Sequence, residues 1–529
     1  MTTTVATPAS GRLTHRQILI VLSGLMLGML LAALDQTIVA TALPTIVSEL
    51  GGINHLSWVV TAYLLASTSS TPLYGKISDL YGRKGVFQAA IVIFLVGSAL
   101  SGLSRNMGEL IGFRALQGLG AGGLMALAMA IIGDVVSPRE RGKYQAYMGA
   151  VFAFASVAGP LLGGFFVDQL TWRWVFYINL PVGAVALVVT SVVLDLPFNS
   201  VRHAIDFLGA GLLVGSVTAI LLVTVWGGDQ YAWLSPEIIG LAVAGLLLLG
   251  AFIARERRAP EPILPLKLFR DAVFTVGSAL LFIQGVVMFG AIVFLPLYFQ
   301  VVKGASATRS GLLLLPLMAG VLTSSISSGR LISRNGRYRI YPILGTALCT
   351  VGMFLFTRLD ADSSLKESSV YMLVLGSGLG MTMQIPIMAI QNSVERRYLG
   401  IATSVANFFR SMGGSFGVAI FGAVLSNRLA HYLPLLLPPE ALGRFDVKAL
   451  QASPAQVRAL PPAIQNGIVE AIARSLHAVF LTALPAAALA FVVALFLRER
   501  PLRKVAHIGA DPSGEAPEVA AAEVGPGGG

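Results

Sequence analysis

The stretch Gly75-Lys76-Ile77-Ser78-Asp79-Leu80-Tyr81-Gly82-Arg83-Lys84 returns 254 residues later as Gly329-Arg330-Leu331-Ile332-Ser333-Arg334-Asn335-Gly336-Arg337-Tyr338. Both copies carry the same glycine spacing and a basic residue after each glycine. At an offset of 255, Glu140-Arg141 matches Glu395-Arg396 and Gly159 matches Gly414. Two matches at nearly one offset make the chain an internal duplication. Each copy of the glycine motif follows a long apolar run, so the duplicated unit is a set of such runs joined by short basic turns.

Apolar runs of roughly 17 to 25 residues are long enough for a helix to cross a hydrocarbon core of about 30 Å. Fourteen candidates start near Ile18, Leu56, Val86, Glu109, Tyr144, Trp174, Ile205, Glu237, Ala272, Ser310, Tyr341, Ser369, Gly400 and Ser475. Runs this continuous are helices, because barrel strands would alternate over roughly ten residues. The fold class is therefore all-α integral membrane, with 14 transmembrane helices arranged as two pseudo-symmetric six-helix bundles plus two inserted central helices. The composition agrees: 55% of the 529 residues are hydrophobic and 12% are charged, where a soluble domain carries roughly a quarter charged.

The expected organisation is a cytoplasmic tail at 1–17, a first bundle at 18–196, two inserted helices with linkers at 197–270, and a second bundle at 271–498. The second bundle includes a polar, proline-rich outer segment at 427–474, and a disordered cytoplasmic tail follows at 499–529. The first run resembles a signal peptide but continues past Leu34 with no small-residue cleavage site, so it reads as a retained span. With the N-terminus inside, most Lys and Arg fall in the inner connections and tails. The net charge of +11 is thus an orientation signal that needs no nucleic-acid partner. The single cysteine, Cys349, supports neither a disulfide framework nor a zinc site.

Asp35 is the one acidic residue deep within a run. A charge at the centre of a membrane helix costs about 2.5 to 3.5 kcal/mol on insertion scales, so it normally faces a polar interior. Proton exchange is the functional reading and a structural salt bridge the competing one. Arg114 is the candidate partner, with Gln117 and Gly118 on the same helical face. Protonation of Asp35 would release the arginine and couple proton binding to helix movement; a snorkelling arginine is the alternative. Gly159-Pro160 and Gly163-Gly164 mark a kinked helix that packs closely, either as a gate or as ordinary packing. In the first glycine motif, Gly75, Asp79, Gly82 and Arg83, with Arg141 beyond, form a candidate conformational latch. In it Asp79 caps a helix or pairs with Arg141 or Arg83. Gln36, Gln117, Asn179, Gln284, Gln384, Asn407 and Arg410 are candidates for a substrate cavity.

These segments together resemble the major facilitator superfamily, in its fourteen-helix drug:proton antiporter branch, from about Leu13 to Arg498. Leu34-Asp35-Gln36-Thr37-Ile38-Val39 with Ala42-Leu43-Pro44 is similar to that branch's first-helix signature. Gly75 to Lys84 resembles the GxLaDRxGRK loop, with Leu80 in place of the usual basic residue. Arg114 to Gly123 resembles the RxxQGxGaa pattern, and Ala155 to Gly164 the GxxxGPxxGG antiporter signature with Ala for its first Gly. Trp172-Arg173-Trp174-Val175-Phe176-Tyr177-Ile178-Asn179-Leu180-Pro181 is also similar to the branch.

The resemblance implies a proton-coupled secondary transporter. It would export amphipathic or cationic drugs across the cytoplasmic inner membrane of a bacterium by alternating access, a multidrug efflux antiporter of the antibiotic-resistance type. Both termini would be cytoplasmic. Its partners would be a small-molecule substrate, protons and the lipid bilayer; it would work as a monomer with no cofactor and no metal, driven by the proton gradient. A dedicated exporter of one metabolite, antibiotic or lipid is the alternative. Catalytic residues are not expected: Gly413-Gly414-Ser415-Phe416-Gly417 matches the hydrolase GxSxG pattern. That pattern here lies within a span, and the six histidines fall in loops, tails or at a span's start, so an intramembrane serine hydrolase is a remote reading. A non-transporting sensor is equally remote.

Overall fold

The computed structural model describes residues 15–50, 56–136, 138–194, 206–228, 230–305, 307–437 and 460–502. The described residues are helical, and the one β-bridge joins Gly227 to Tyr231. The first bundle comprises α1 (His15–Leu50), α2 (Leu56–Tyr81), α3 (Arg83–Leu103), α4 (Met107–Val135), α5 (Pro138–Gln169), the single turn α6 (Trp174–Tyr177) and α7 (Asn179–Val193). A pair follows, α8 (Phe207–Trp226) and α9 (Pro236–Glu256). Then come α10 (Ala272–Leu297), α11 (Ala307–Leu313), α12 (Leu315–Asn335), α13 (Ile340–Phe356), α14 (Leu365–Thr382), α15 (Ile385–Ser393), α16 (Leu399–Leu436) and α17 (Pro462–Leu495). Of the segment 427–474, residues 438–459 lie outside the described residues, as do 1–14 and 503–529 of the two tails.

Among the described residues, eleven helices are long and apolar enough to cross a membrane, and Ala158–Val167 and Ile340–Phe356 are shorter apolar stretches. The helix α2 spans 26 residues but is diluted by the polar run Ser67-Thr68-Ser69-Ser70-Thr71. The hydroxyls of Ser69, Ser70 and Thr71 bond carbonyls of the same helix, as in Ser69 Oγ donating to the Leu65 carbonyl at 2.7 Å and Thr71 Oγ1 to the Ser67 carbonyl at 2.8 Å. Such polar side chains therefore lower hydropathy without exposing an unpaired group to lipid.

The helix pairings repeat. In the first bundle α4 packs on α2 and α3, and α1 packs on α5; in the second, α14 packs on α12 and α13, and α10 on α16. The bundles meet reciprocally, α5 against α12 and α16 against α2, while α8 touches both α2 and α16. The two glycine motifs share a physical cause at their second glycine. Gly82, between α2 and α3, has φ +92°, and Gly336, after α12, has φ +72°. Only glycine takes this left-handed conformation without steric cost, which lets one helix stop and the next turn back.

Candidate functional site: a sealed ion pair in the first bundle

Asp35 and Arg114 meet in the interior of the first bundle, with 0% and 1% of their surfaces exposed. Arg114 lies seven residues into α4, about 10 Å from its start. Its Nη1 donates to Asp35 Oδ2 at 2.6 Å and to Gln117 Oε1 at 2.7 Å, and its Nε donates to the Val59 carbonyl of α2 at 3.2 Å. The other carboxylate oxygen, Oδ1, accepts from Gln117 Nε2 at 2.8 Å and from Asn179 Nδ2 of α7 at 3.2 Å. Asn179 Nδ2 also donates to Ser98 Oγ of α3 at 3.0 Å, and Ser98 Oγ to the Phe176 carbonyl at 2.9 Å. The guanidinium stacks 4.2 Å from the centroid of the Tyr63 ring. Six helices thus supply one closed network.

Two charges withdrawn from water are tolerated here because the carboxylate has three donors and the guanidinium has acceptors and an aromatic face. Loss of either partner would leave a bare buried charge. Gln117 and Asn179, expected in a substrate cavity, instead complete this network. Ser98, Tyr63 and the Val59 carbonyl carry no sequence signal that sets them apart from ordinary packing.

The antiporter-type helix bears directly on α1. A side chain at Gly159 would strike Thr37, and one at Gly163 would strike Thr41, whereas Gly164 has open space beside it. Thr37 Oγ1 donates to the Ala155 carbonyl at 3.0 Å, two residues past Asp35. Pro160 lies inside α5 next to this contact. At the far end of α1, Glu49 accepts from Trp172 Nε1 at 2.8 Å and from Arg173 Nη1 at 2.6 Å. The Arg173 guanidinium holds the Glu49 carboxyl below its usual value.

The glycine-motif loop joins the two bundles. Arg83 pairs with Asp79 at 2.7 Å and with Asp134 at 2.8 Å, and Asp79 Oδ2 accepts from the Ile401 backbone N–H at the start of α16 at 3.2 Å. Of the two pairings the sequence allowed for Asp79, that with Arg83 is formed; the helix-capping reading holds as well, but across the bundle interface. The Arg141 side chain lies outside the described residues. Asp134 was not singled out from sequence, although an acid at the polar end of a span facing a basic loop is a usable signal. Gly75 allows α2 to lie against Ser404 and the Gly400 carbonyl of α16, and Gly82 supplies the turn. Nearby, Gln391 Nε2 of α15 donates to the Met129 carbonyl of α4 at 3.2 Å and to Thr403 Oγ1 at 3.0 Å.

The remaining cavity candidates are not brought to Asp35. Gln36 is exposed beside it on α1. In the second bundle Gln284 Nε2 points at Cys349 Sγ at 3.6 Å, and the amide oxygens of Gln284 and Gln384 are buried without a hydrogen-bond partner. Arg410 Nη2 donates to Asn407 Oδ1 at 2.7 Å. Ser415 is an ordinary helical serine bonded to the Ser411 carbonyl at 3.2 Å. Among the described residues there is no cluster of His, Cys, Asp and Glu able to hold a metal.

Comparison with known proteins agrees with this architecture. The Major Facilitator Superfamily model matches residues 25–206 and 199–418. The multidrug transporter protein MdtP of Bacillus subtilis is 40% identical over 513 residues, 92% of this chain and 94% of that protein. Multidrug resistance protein 3 of the same organism is 36% identical over 516 residues, 96% and 99% of the two chains. Among solved structures, that of the proton:xylose symporter XylE superposes with a TM-score of 0.59 at 14% identity, covering 91% of this chain and 95% of that one, which shows a shared fold. The chain therefore belongs to the major facilitator superfamily, as a multi-pass membrane transporter and not an enzyme.

Proposed function

We propose that this chain is a proton-coupled antiporter that exports amphipathic small molecules across the cytoplasmic membrane by alternating access. It would do so as a monomer, with both termini in the cytoplasm and fourteen spans divided into bundles at 18–196 and 271–498 around an inserted pair. The observation that carries this reading is the sealed Asp35–Arg114 pair. Asp35 has no exposed surface, and both carboxylate oxygens accept hydrogen bonds, Oδ2 from Arg114 and Oδ1 from Gln117 and Asn179. A proton can reach it only after the helices part, and once there it removes the charge that holds Arg114. Proton binding and helix movement are then the same event. Because α5 rests on Thr37 of α1 and α16 rests on Asp79 of α2, a shift at Asp35 is passed to both inter-bundle seams.

On the inside-N orientation favoured by the basic loops, the Asp79–Ile401 and Gln391–Met129 contacts lie at the cytoplasmic ends of the helices. On that orientation these contacts would close the cytoplasmic side. A proton falling through 100 mV releases about 2.3 kcal/mol, enough to drive a neutral or singly charged substrate uphill, and no other cofactor is needed. Asp35→Asn protein in proteoliposomes is expected to lose substrate-driven proton flux while retaining substrate exchange without a gradient. Wild-type proton-driven efflux in that variant would refute the assignment. A panel of chemically unrelated compounds separates a multidrug pump from a dedicated exporter, which would move one.

A further inference from the structure

The bundles differ in the charge they leave unpaired. Asp35 and Arg114 cancel inside the first bundle. In the second, Arg410 lies eleven residues into α16, about 16 Å from its start and hence near mid-membrane. Among the described residues no carboxylate comes within ion-pair distance of it, and its hydrogen bond is to Asn407 Oδ1. Residues Ile401–Phe408 of the same helix are buried, yet Arg410 is partly exposed.

The packing of α16 fixes where that exposed surface points. One strip of α16, at Gly413 and Gly417, is covered by Phe282 and Val286 of α10. A second strip, at Gly400 and Ser404, is covered by Asp79 and Gly75 of α2, and Phe408 continues it against Leu65 and Leu213. Thr403, Asn407 and Arg410 recur every three or four residues and occupy the strip between these two. Thr403 is joined through Gln391 to Met129 of α4, so this strip faces the other bundle. Gly285 of α10 lies against the Arg410 carbonyl and Phe289 of α10 against Gly414, so the exposed part of Arg410 sits beside α10, on the strip that two turns below reaches the other bundle through Gln391 and Met129; facing lipid would cost about 2.5 to 3.5 kcal/mol.

We propose that Arg410, oriented by Asn407, is the recognition group for an anionic moiety on an amphipathic substrate: a carboxylate, sulfonate or phosphate. This rests on the transport reading above and narrows its substrate class. A guanidinium presents a planar fork that matches the two oxygens of such a group, and one of its nitrogens is already held in place by Asn407. A cationic amphipath entering the same space meets an uncompensated positive charge, while the one membrane-level carboxylate among the described residues is already paired.

Two xanthene dyes isolate the charge at constant shape: fluorescein, an anion, and rhodamine 123, a cation. Equilibrium binding to the full-length protein in neutral-lipid nanodiscs, without a pH gradient, is independent of proton coupling. It therefore remains informative if Asp35→Asn shows that the coupling assignment is wrong. Wild type is expected to bind fluorescein more tightly than rhodamine 123. Arg410→Gln is expected to weaken fluorescein about tenfold or more and to leave rhodamine 123 unchanged or tighter, with Arg410→Lys between. Asn407→Asp keeps the arginine but supplies an internal carboxylate, and is expected to weaken fluorescein likewise; it decides the matter should Arg410→Gln misfold. A preference for rhodamine 123, no binding of fluorescein, or fluorescein binding indifferent to both Arg410→Gln and Asn407→Asp overturns the proposal.

Discussion

The two bundles share a scaffold and differ in chemistry. In the first, an acid and a base are buried together and completed by Gln117, Asn179 and Tyr63. In the second, an arginine bonds an amide oxygen, and no carboxylate among the described residues comes within ion-pair distance of it. The glycine-motif loops diverge in the same way. Asp79 of the first loop reaches across to Ile401 of the other bundle. Its repeat counterpart is Ser333, and the second loop is tied to the residues that follow α17, with the Tyr338 N–H donating to Glu499 at 2.9 Å and its hydroxyl to the Arg498 carbonyl at 3.1 Å. Duplication thus preserved helix packing while charge was distributed asymmetrically.

The sharpest break of this comparison is at its two arginines. Arg114→Leu leaves Asp35 buried and uncompensated, and is expected to cost about 3–5 kcal/mol, read as a large drop in unfolding temperature or loss of folded protein in detergent. Arg410→Leu removes a cation that no carboxylate compensates, and is expected to be neutral or stabilising by the same measurement. Equal losses at both sites would erase the asymmetry. Asp35→Leu with Arg114→Leu together should recover most of the stability lost by Arg114→Leu alone, while transport stays absent.

Packing glycines test the shared scaffold. A Cβ at Gly118 of α4 would strike the Tyr63 carbonyl, and one at Gly376 of α14 would strike the Leu317 carbonyl. Gly118→Ala and Gly376→Ala are each expected to cost about 1–3 kcal/mol, since backbone cannot yield as a flexible side chain can. A markedly smaller loss in one bundle would show that the pseudo-symmetry does not extend to packing.

A smaller effect is expected at the one-sided latch. Asp79→Ala removes the acceptor for the Ile401 N–H and one of the two acids on Arg83, whereas Ser333→Ala removes a neutral hydroxyl that bonds the Gly329 carbonyl of α12. Because Cys349 is the single cysteine and is buried, a cysteine at Leu399, on the seam beside Gly133, reports opening against a low background. Its maleimide labelling should rise several-fold with Asp79→Ala and not with Ser333→Ala, corresponding to a shift of about 1 kcal/mol in the opening equilibrium.

The smallest effect is at Glu49. Its folded pKa lies below the ordinary 4.5 because of Arg173, so the pair adds stability above that value and loses it as pH falls through the folded pKa. Glu49 and Arg173 are substantially exposed, and Glu49→Gln should change the unfolding temperature little at pH 7, and progressively less as the pH falls through the folded pKa. A loss comparable with that of Arg114→Leu would mean that the outer ion pair, and not the buried one, holds the first bundle.

The apolar runs, their duplication and the basic loops were legible because lipid imposes length, helicity and charge bias on any chain that crosses it. Asp35 and Arg114 were legible for the same reason, since a charge in an apolar run is costly and therefore informative. The run from Leu56 was legible as well, and α2 begins there, although its hydroxyl stretch lowers the hydropathy. Hydropathy does not sort the interior amides: Gln117, Asn179, Gln284 and Gln384 look alike in sequence, yet Gln117 and Asn179 donate to Asp35 while Gln284 and Gln384 do not reach it. Asp134 acquires its role only because folding brings it to Arg83, 51 residues away.

What the sequence determined by itself was an all-helical membrane chain, its internal repeat and the two charges that such an environment cannot ignore. The tertiary structure decided which amides close on Asp35, which backbone N–H Asp79 reaches and which way Arg410 faces. The division has a physical cause. Burial in lipid is a one-dimensional constraint written along the chain, whereas hydrogen-bond partnership depends on distances between helices that no local pattern encodes.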